Sequence, residues 1–240
     1  MVKIFLGGYI MKKVIFIFIL LVGFVSNSIF AQPVSFRTHL RNQIQTWGSC
    51  RTVAITRTGG IAIYGDNGWY ISNVPEDLAN EIKNLNKNGN FIRDVILTDQ
   101  GRWLIIYDDN GLFWDGIPSD DSLITKLREY NELRETILSV TFNDFGDWVI
   151  ITQNYFSASD SDILDWLIEG NEEYGQVWNV HLTDDGIISV YEEGYKTLGS
   201  VPESLFDSLD STSIHFYVVK FFGSYWFYAD VDGNYQHNIR

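Results

Sequence analysis

The stretch Val95-Ile-Leu-Thr-Asp-Gln-Gly101-Arg-Trp-Leu-Ile-Ile-Tyr107 decides the fold. Its two ends are apolar runs of β-branched and aromatic residues, a composition that suits strands. Between them lies a short polar segment that ends in Gly101, and a glycine there supplies the positive φ that a tight turn requires. The stretch therefore predicts a β-hairpin.

The same pattern occurs five times along the chain. In each copy a valine opens the first apolar run and a glycine closes the turn. The glycine follows the valine by six positions in four copies and by five in the last, and successive glycines are 42, 45, 40 and 37 residues apart. Because the same chemistry returns at a regular step, the sequence predicts a tandem repeat. The pairs are Val53 and Gly59, Val95 and Gly101, Val140 and Gly146, Val180 and Gly186, and Val218 and Gly223.

Each copy extends into a longer unit with a third strand and a helix. In four copies a second turn precedes the third strand, whereas the third copy has the run 153–156 there and no glycine. Helices are predicted to begin at Pro75, Pro118 and Pro202, since proline is tolerated in a first helical turn. Asp160 takes the proline's place as an N-cap. The glycines of the second turns are Gly68, Gly111, Gly194 and Gly233.

The first helix is predicted after Pro33, where Phe36, Leu40 and Ile44 follow at helical spacing. The whole region 33–240 is therefore predicted to be one repeat domain that is mostly β with helices. Its five tandem αβββ units span about 33–74, 75–117, 118–159, 160–201 and 202–240.

Five repeated three-stranded antiparallel sheets resemble the blades of β-propeller proteins, although only in architecture. The Gly-His and Trp-Asp signatures of WD40 repeats do not occur. The resemblance implies a closed five-bladed ring in which each helix leads from the outer strand of one blade to the inner strand of the next. The alternative is an open α/β solenoid. Solenoids usually carry atypical capping repeats, and both end units here have the ordinary pattern, so the ring is preferred.

A secretory signal peptide is predicted over residues 1–31. From Met11, the predicted true start, two lysines precede the apolar run 14–25, and Ala31 is the predicted cleavage position. This run is shorter than the roughly 20 residues that a membrane-spanning helix needs. The sequence therefore predicts export to the periplasm or the exterior, with no membrane insertion after cleavage.

The charge of the chain excludes one class of partner. The formal net charge is −14, and removal of residues 1–31, which hold three lysines and no acids, makes it −17. Nucleic-acid affinity depends on lysine and arginine, so no nucleic-acid partner is expected.

Cys50 is the single cysteine, which leaves no internal disulfide. Its thiol is expected to be buried. The chain is expected to be a monomer.

The candidate binding residues lie on the first strand of each unit. If this strand is innermost, alternate side chains line the central axis, and one set of positions is polar in all five units yet different in each. A single asymmetric ligand would favour such a set, whereas a channel lined by any polar residues that fit is the alternative interpretation. The candidates are Thr52, Asp94, Ser139, Asn179 and Tyr217, with His181 on the same face.

Catalytic and metal motifs are weak in this sequence. Glycosidases use two carboxylates, and the proposed channel face offers only Asp94. The histidines show no metal-ligand spacing, and Asp230-Val-Asp-Gly-Asn234 lacks the longer ligand series of an EF-hand. No metal or cofactor is predicted. The sequence favours an exported, non-enzymatic binding or scaffold protein for a glycan or a protein partner, and the alternative is a glycosidase-like hydrolase that uses Asp94.

Aromatic residues at one repeated position are predicted to pack between neighbouring sheets. They stand two residues after the turn glycine, and repetition at one position indicates core rather than ligand binding. These residues are Trp103, Trp148 and Tyr225.

Overall fold

The computed structural model describes residues 35–65 and 68–240. The predicted signal peptide and Pro33 lie outside the described residues, as do Asp66 and Asn67 of the second turn in unit one. The helices of the described part are α1 (Phe36–Trp47), α2 (Glu76–Asn88), α3 (Ser122–Glu132), α4 (Ser161–Tyr174) and α5 (Glu203–Ser211).

The strands fall into groups of three between the helices. In chain order they are β1 (Thr52–Ile55), β2 (Gly60–Tyr64), β3 (Gly68–Ser72), β4 (Ile92–Leu97), β5 (Trp103–Tyr107), β6 (Gly111–Asp115), β7 (Ile137–Phe142), β8 (Trp148–Thr152), β9 (Phe156–Ala158), β10 (Val177–Leu182), β11 (Gly186–Tyr191), β12 (Gly194–Gly199), β13 (Val218–Phe222), β14 (Tyr225–Ala229) and β15 (Tyr235–His237).

Each group forms its own three-stranded antiparallel sheet, with the strands in chain order and the second strand in the middle. The prediction of a mostly β chain with five helices and five three-stranded sheets is confirmed. In the described ranges none of these sheets closes on itself. No helix among these residues is long and apolar enough to cross a membrane.

The helix starts follow capping chemistry. Asp160 is the N-cap of α4 as predicted, and its carboxylate accepts from two backbone amides of the first turn. Pro75 and Pro202 are the N-cap residues of α2 and α5. The predicted start of α3 at Pro118 is wrong, because the Asp121 carboxylate accepts from the Leu123 amide and the helix therefore begins after it.

The third strand of unit three also differs from the prediction. It covers Phe156–Ala158 rather than the run 153–156. The Thr152 amide donates to the Tyr155 carbonyl, and the Tyr155 amide donates to the Thr152 hydroxyl. These bonds fix residues 152–155 as a turn, so the strand begins later.

Central strands bury both of their faces. On β5, Ile105 belongs to the apolar cluster shared with the first sheet, while Leu104 and Ile106 belong to the cluster shared with the third sheet. On β14, Phe227 and Ala229 likewise face away from Trp226 and Tyr228. Since alternate residues of a strand point to opposite faces, each sheet packs against two neighbours.

Five apolar clusters fill the spaces between the sheets, and each includes one helix. One of them joins the last unit to the first: Leu40 and Ile44 of α1 pack together with Val53 of β1 and with Phe227 of β14. The Cys50 amide also donates to the Gly233 carbonyl at 3.0 Å. The Tyr235 hydroxyl donates to the Ile44 carbonyl at 3.2 Å. Units five and one are therefore in direct contact.

Buried tryptophans on three central strands tie each sheet to the helix before it. The Trp103 indole N–H donates to the Asp77 carboxylate in the first turn of α2, at 3.2 Å. Trp148 and Trp226 make equivalent bonds to serine hydroxyls in the first turns of α3 and α5, at 2.9 and 3.1 Å. The prediction that Tyr225 occupies this position is wrong, because the fifth hairpin has a tighter turn that places Trp226 there.

Shortening one buried side chain of α1, in the cluster between units five and one, tests this packing. Leu40 is fully buried, so Leu40→Ala should lower the free energy of unfolding by about 2–5 kcal/mol. Urea denaturation measures the change. Gln45→Ala, at an exposed position of the same helix, is the control and should change it by less than about 0.5 kcal/mol. Equal effects of the two substitutions would contradict the buried position of Leu40.

Candidate functional site

The first strands of the five units lie next to one another. β1 contacts β4, β4 contacts β7, β7 contacts β10, β10 contacts β13, and β13 contacts β1. Register shifts between Ile92 and Asp94, between Ile137 and Ser139, and between Val177 and Asn179 mark β-bulges at the beginning of three of these strands. Bulges increase the local twist, and here they lie directly before the candidate polar residues.

Four of the predicted site residues are buried, and they form two hydrogen-bonded pairs. The Thr52 hydroxyl donates to Asp94 Oδ1 at 2.7 Å, and Asn179 Nδ2 donates to Ser139 Oγ at 3.1 Å. Their exposed fractions are between 1% and 6%. The structure therefore brings these residues together, and it places them where solvent hardly reaches.

A buried ion pair completes this polar network. Lys220 Nζ of unit five donates to Asp94 Oδ2 of unit two at 2.8 Å, and both side chains are more than nine-tenths buried. Asp94 thus accepts a hydrogen bond from the Thr52 hydroxyl on one oxygen and from the Lys220 ammonium group on the other. Sequence reasoning missed Lys220, since a single lysine within the apolar run Val218–Phe222 gives no signal of a partner 126 residues away.

The register of unit five differs from the one that the sequence predicts. Ser139 Oγ accepts from the Val180 amide, and Asn179 Oδ1 accepts from the Val219 amide in the same way, both at 3.3 Å. Val219, not Val218, is therefore the equivalent of Val180. Val218 and Lys220 are therefore equivalent to Asn179 and His181, and Tyr217 lies one residue before the position equivalent to Asp94. Its binding role stays a prediction.

His181 and Tyr217 are half-buried. The His181 ring nitrogen Nε2 lies 2.8 Å from the Phe221 carbonyl oxygen, which makes Nε2 the protonated nitrogen. Burial, assisted by the charge of Lys220, lowers the pKa of His181 to about 3, so the ring is neutral. Tyr217 packs against the Trp178 ring at 6.0 Å, and burial is the main cause that raises its pKa.

A pocket of about 80 Å³ lies at the opposite end of the first strands, next to their turns. Its walls are largely apolar and aromatic, with Phe142, Phe221, Phe222 and Tyr225 among them. His181 and Lys220 also line it, and so do Thr98, Asp99, Asp144 and Asp184 from the strand ends and turns. None of the predicted site residues except His181 reaches this pocket.

Backbone-to-carboxylate bonds join the turns around the pocket rim. The Arg57 amide donates to Asp99, the Gln100 amide to Asp144 and the Asp144 amide to Asp184, at 2.8, 3.2 and 3.0 Å. Unit five has only Gly223 and Ser224 between its paired strands and therefore no aspartate at this position. Within the described residues the series of bonds stops at unit four.

The threonine hydroxyls at the start of these turns are hydrogen-bonded in units one and four, but within the described residues the one in unit two is not. In units one and four, Thr56 Oγ1 and Thr183 Oγ1 each bond both the amide and the carbonyl of the turn glycine. Thr98 Oγ1 is buried and has no hydrogen-bond partner among residues 35–65 and 68–240. Buried polar groups normally have partners, which makes Thr98 an exception that lies at the pocket.

The acidic loop 230–234 and Cys50 are both accounted for by local structure. No three His, Cys, Asp or Glu side chains come together there in a way that could hold a metal ion. In the loop 230–234, Asp230 instead accepts from the amides of Asp232 and Asn234, which is turn chemistry. Cys50 is buried, and burial raises its pKa to about 12.

No protein-family model matches this chain, and no curated protein matches it either. Function therefore has to be inferred from the geometry itself.

A double-mutant cycle measures the coupling between Lys220 and Asp94. Lys220→Met leaves a buried carboxylate without its counter-ion and should lower the free energy of unfolding by about 3–5 kcal/mol. Asp94→Asn should also destabilise the protein, because the amide would face the ammonium. The double variant should lose at least about 1 kcal/mol less than the sum of the two single losses. Additive losses in urea denaturation would contradict a direct interaction.

Proposed function

We propose that the five sheets are the blades of a closed, propeller-like ring, and that this ring is a non-enzymatic binding or scaffold protein. The observation that supports the ring is the burial of both faces of the central strands. A row of sheets leaves one face uncovered at each end, whereas in a ring every sheet has two neighbours. The apolar cluster of α1 between the fifth and the first sheet supplies the contact that a ring needs.

The hydrogen bonds of Asp94 argue against a catalytic role for this carboxylate. A glycosidase needs two carboxylates that reach the bond to be cleaved. Both Asp94 oxygens are engaged by Thr52 and Lys220, and the side chain is buried. As a counter-ion in the centre of the fold, this carboxylate has a sufficient structural role. The glycosidase-like alternative would require it to leave that network.

The proposed partner is a glycan or a protein outside the cytoplasm, as the predicted signal peptide favours. A surface that combines aromatic rings with polar groups suits either, since aromatic side chains provide contact area and orient polar neighbours. The pocket at the turn ends offers such a combination, with Phe222 and Tyr225 beside the rim carboxylates.

Deletion of the first helix tests the ring. A mature chain that lacks residues 33–48 would expose the apolar faces of units five and one, so it should lose most of its stability, by more than about 5 kcal/mol. Thermal and urea unfolding measure the loss. The matched control starts at residue 35 and keeps α1. If the deleted chain unfolds like the control, closure of the ring through α1 is wrong.

Activity and binding screens test the function. The mature protein should not turn over a broad panel of glycosides, and it should bind at least one ligand on a glycan array or one protein from the same compartment. Turnover that disappears in a folded Asp94→Asn variant would replace the binding proposal by the hydrolase. If the glycan array gives no ligand, the proposal narrows to a protein partner.

A further inference from the structure

The pocket at the turn ends has the size of a single functional group. Pockets for drug-sized ligands usually measure about 300–1,000 Å³, whereas this one measures about 80 Å³. It therefore admits one short side chain or a small molecule of similar size. Its largely apolar walls would cover an alkyl segment.

Three polar groups of the pocket lining have hydrogen-bond acceptor capacity left for a ligand. His181 uses Nε2 toward the Phe221 carbonyl, which leaves Nδ1 as an acceptor without a partner in the described part of the chain. Asp184 accepts the Asp144 amide with Oδ1, and its second oxygen has no such bond among these residues. The Thr98 hydroxyl has no partner either. Lys220 Nζ donates to Asp94, which balances its charge.

One carboxylate at the opening has no counter-ion in the described part of the chain. Asp99, Asp144 and Asp184 line the pocket, and the two positive charges that pair with rim carboxylates, Arg57 and Arg102, belong to the turns themselves. The chain as a whole carries a net charge of −14. Asp184 has no such ion pair among the described residues, so a cation in the pocket would neutralise it, while the charge of Lys220 is balanced by Asp94.

The ring of one lining residue, Tyr225, is already in contact with a guanidinium group. Arg37 of α1 lies over the Tyr225 ring at 4.9 Å and donates to the carbonyls of Thr56 and Arg57, each at 3.1 Å. The short turn of unit five leaves this edge without a rim aspartate, so the aromatic rings of Phe222 and Tyr225 form the wall there. Aromatic faces attract cations.

We propose that this pocket binds an organic cation, an ammonium or guanidinium group on a short alkyl chain. The cation is either a free amine or the side chain of a basic residue on a partner, and the inference rests on the proposed binding function. The alkyl segment packs on the apolar walls, and the charged N–H groups donate to Thr98, His181 and Asp184.

Titration of the mature protein with four probes of similar shape tests the chemistry. The probes are butylguanidinium, n-butylammonium, n-butanol and butyrate, and NMR shifts of Thr98, His181 and Phe222 report binding. The two cations should saturate the shifts and bind about tenfold more tightly than n-butanol or butyrate. Equal or tighter binding of the neutral or the anionic probe would overturn the proposal, as would the absence of any shift with the cations.

Matched variants separate the pocket from general electrostatics. Thr98→Val removes a hydroxyl that bonds nothing in the described structure, so it should fold normally and weaken cation binding about fivefold. Asp184→Asn should weaken it about tenfold. Thr56→Val and Asp185→Asn change the corresponding threonine of unit one and the neighbouring acid, neither of which lines this pocket, and should leave the affinity within about twofold. If the two control variants lost as much affinity for the cation as Thr98→Val and Asp184→Asn, the proposal would be overturned.

Two further arms identify the source of the cation and separate this inference from the proposed function. Tighter binding of the peptide acetyl-Ala-Arg-Ala-amide than of butylguanidinium indicates a partner's side chain, and weaker binding indicates a free amine. A glycan-array ligand whose affinity is unchanged by Thr98→Val and Asp184→Asn would contradict the cation pocket while the binding function stands. The absence of any glycan or protein ligand, together with saturable cation binding, would contradict only the broader function.

Discussion

Each described sheet is a single layer of three strands and cannot bury its own apolar residues. This constraint determines the rest of the structure. Ile61 and Ile63 of the first central strand face the second sheet, while Ala62 between them faces the cluster of α1 and the fifth sheet. Apolar surface exposed to water costs about 25 cal/mol per Å², so each unit gains stability from the neighbours that cover the two faces of its central strand. The proposed ring satisfies this condition for all five units at once.

Repetition separates structural residues from candidate functional ones. The tryptophan-to-helix bonds of Trp103, Trp148 and Trp226 return from unit to unit and hold the sheets on their helices. The polar residues of the first strands differ between units, yet several of them are hydrogen-bond partners of one another, as Asp94 and Lys220 are. Residues of all five units line the pocket, and unit five contributes aromatic rings but no rim aspartate because its turn is short.

The sequence predicts most of the fold because the hairpins and helices rest on local patterns. Valine runs, turn glycines and the Asp160 cap lie within a few residues of the structure that they determine. The register of unit five could not be predicted in this way, because alternation allows both Val218 and Val219 to be the buried residue. Long-range hydrogen bonds from Asn179 decide between them.

The candidate site was less predictable for the same reason. The polar character of Thr52, Asp94, Ser139 and Asn179 is visible in the sequence, but their mutual bonds depend on how the units pack. Neither the missing partner of Thr98 nor the pairing of Lys220 leaves any local trace in the sequence.

The central claim is that units five and one close the ring. Nuclear Overhauser contacts between the Gly233 α-protons and the Cys50 amide, and between the Tyr235 ring and the Ile44 backbone, test it most directly. A closed ring predicts both sets of contacts in the mature protein, and their absence in a folded sample would contradict it.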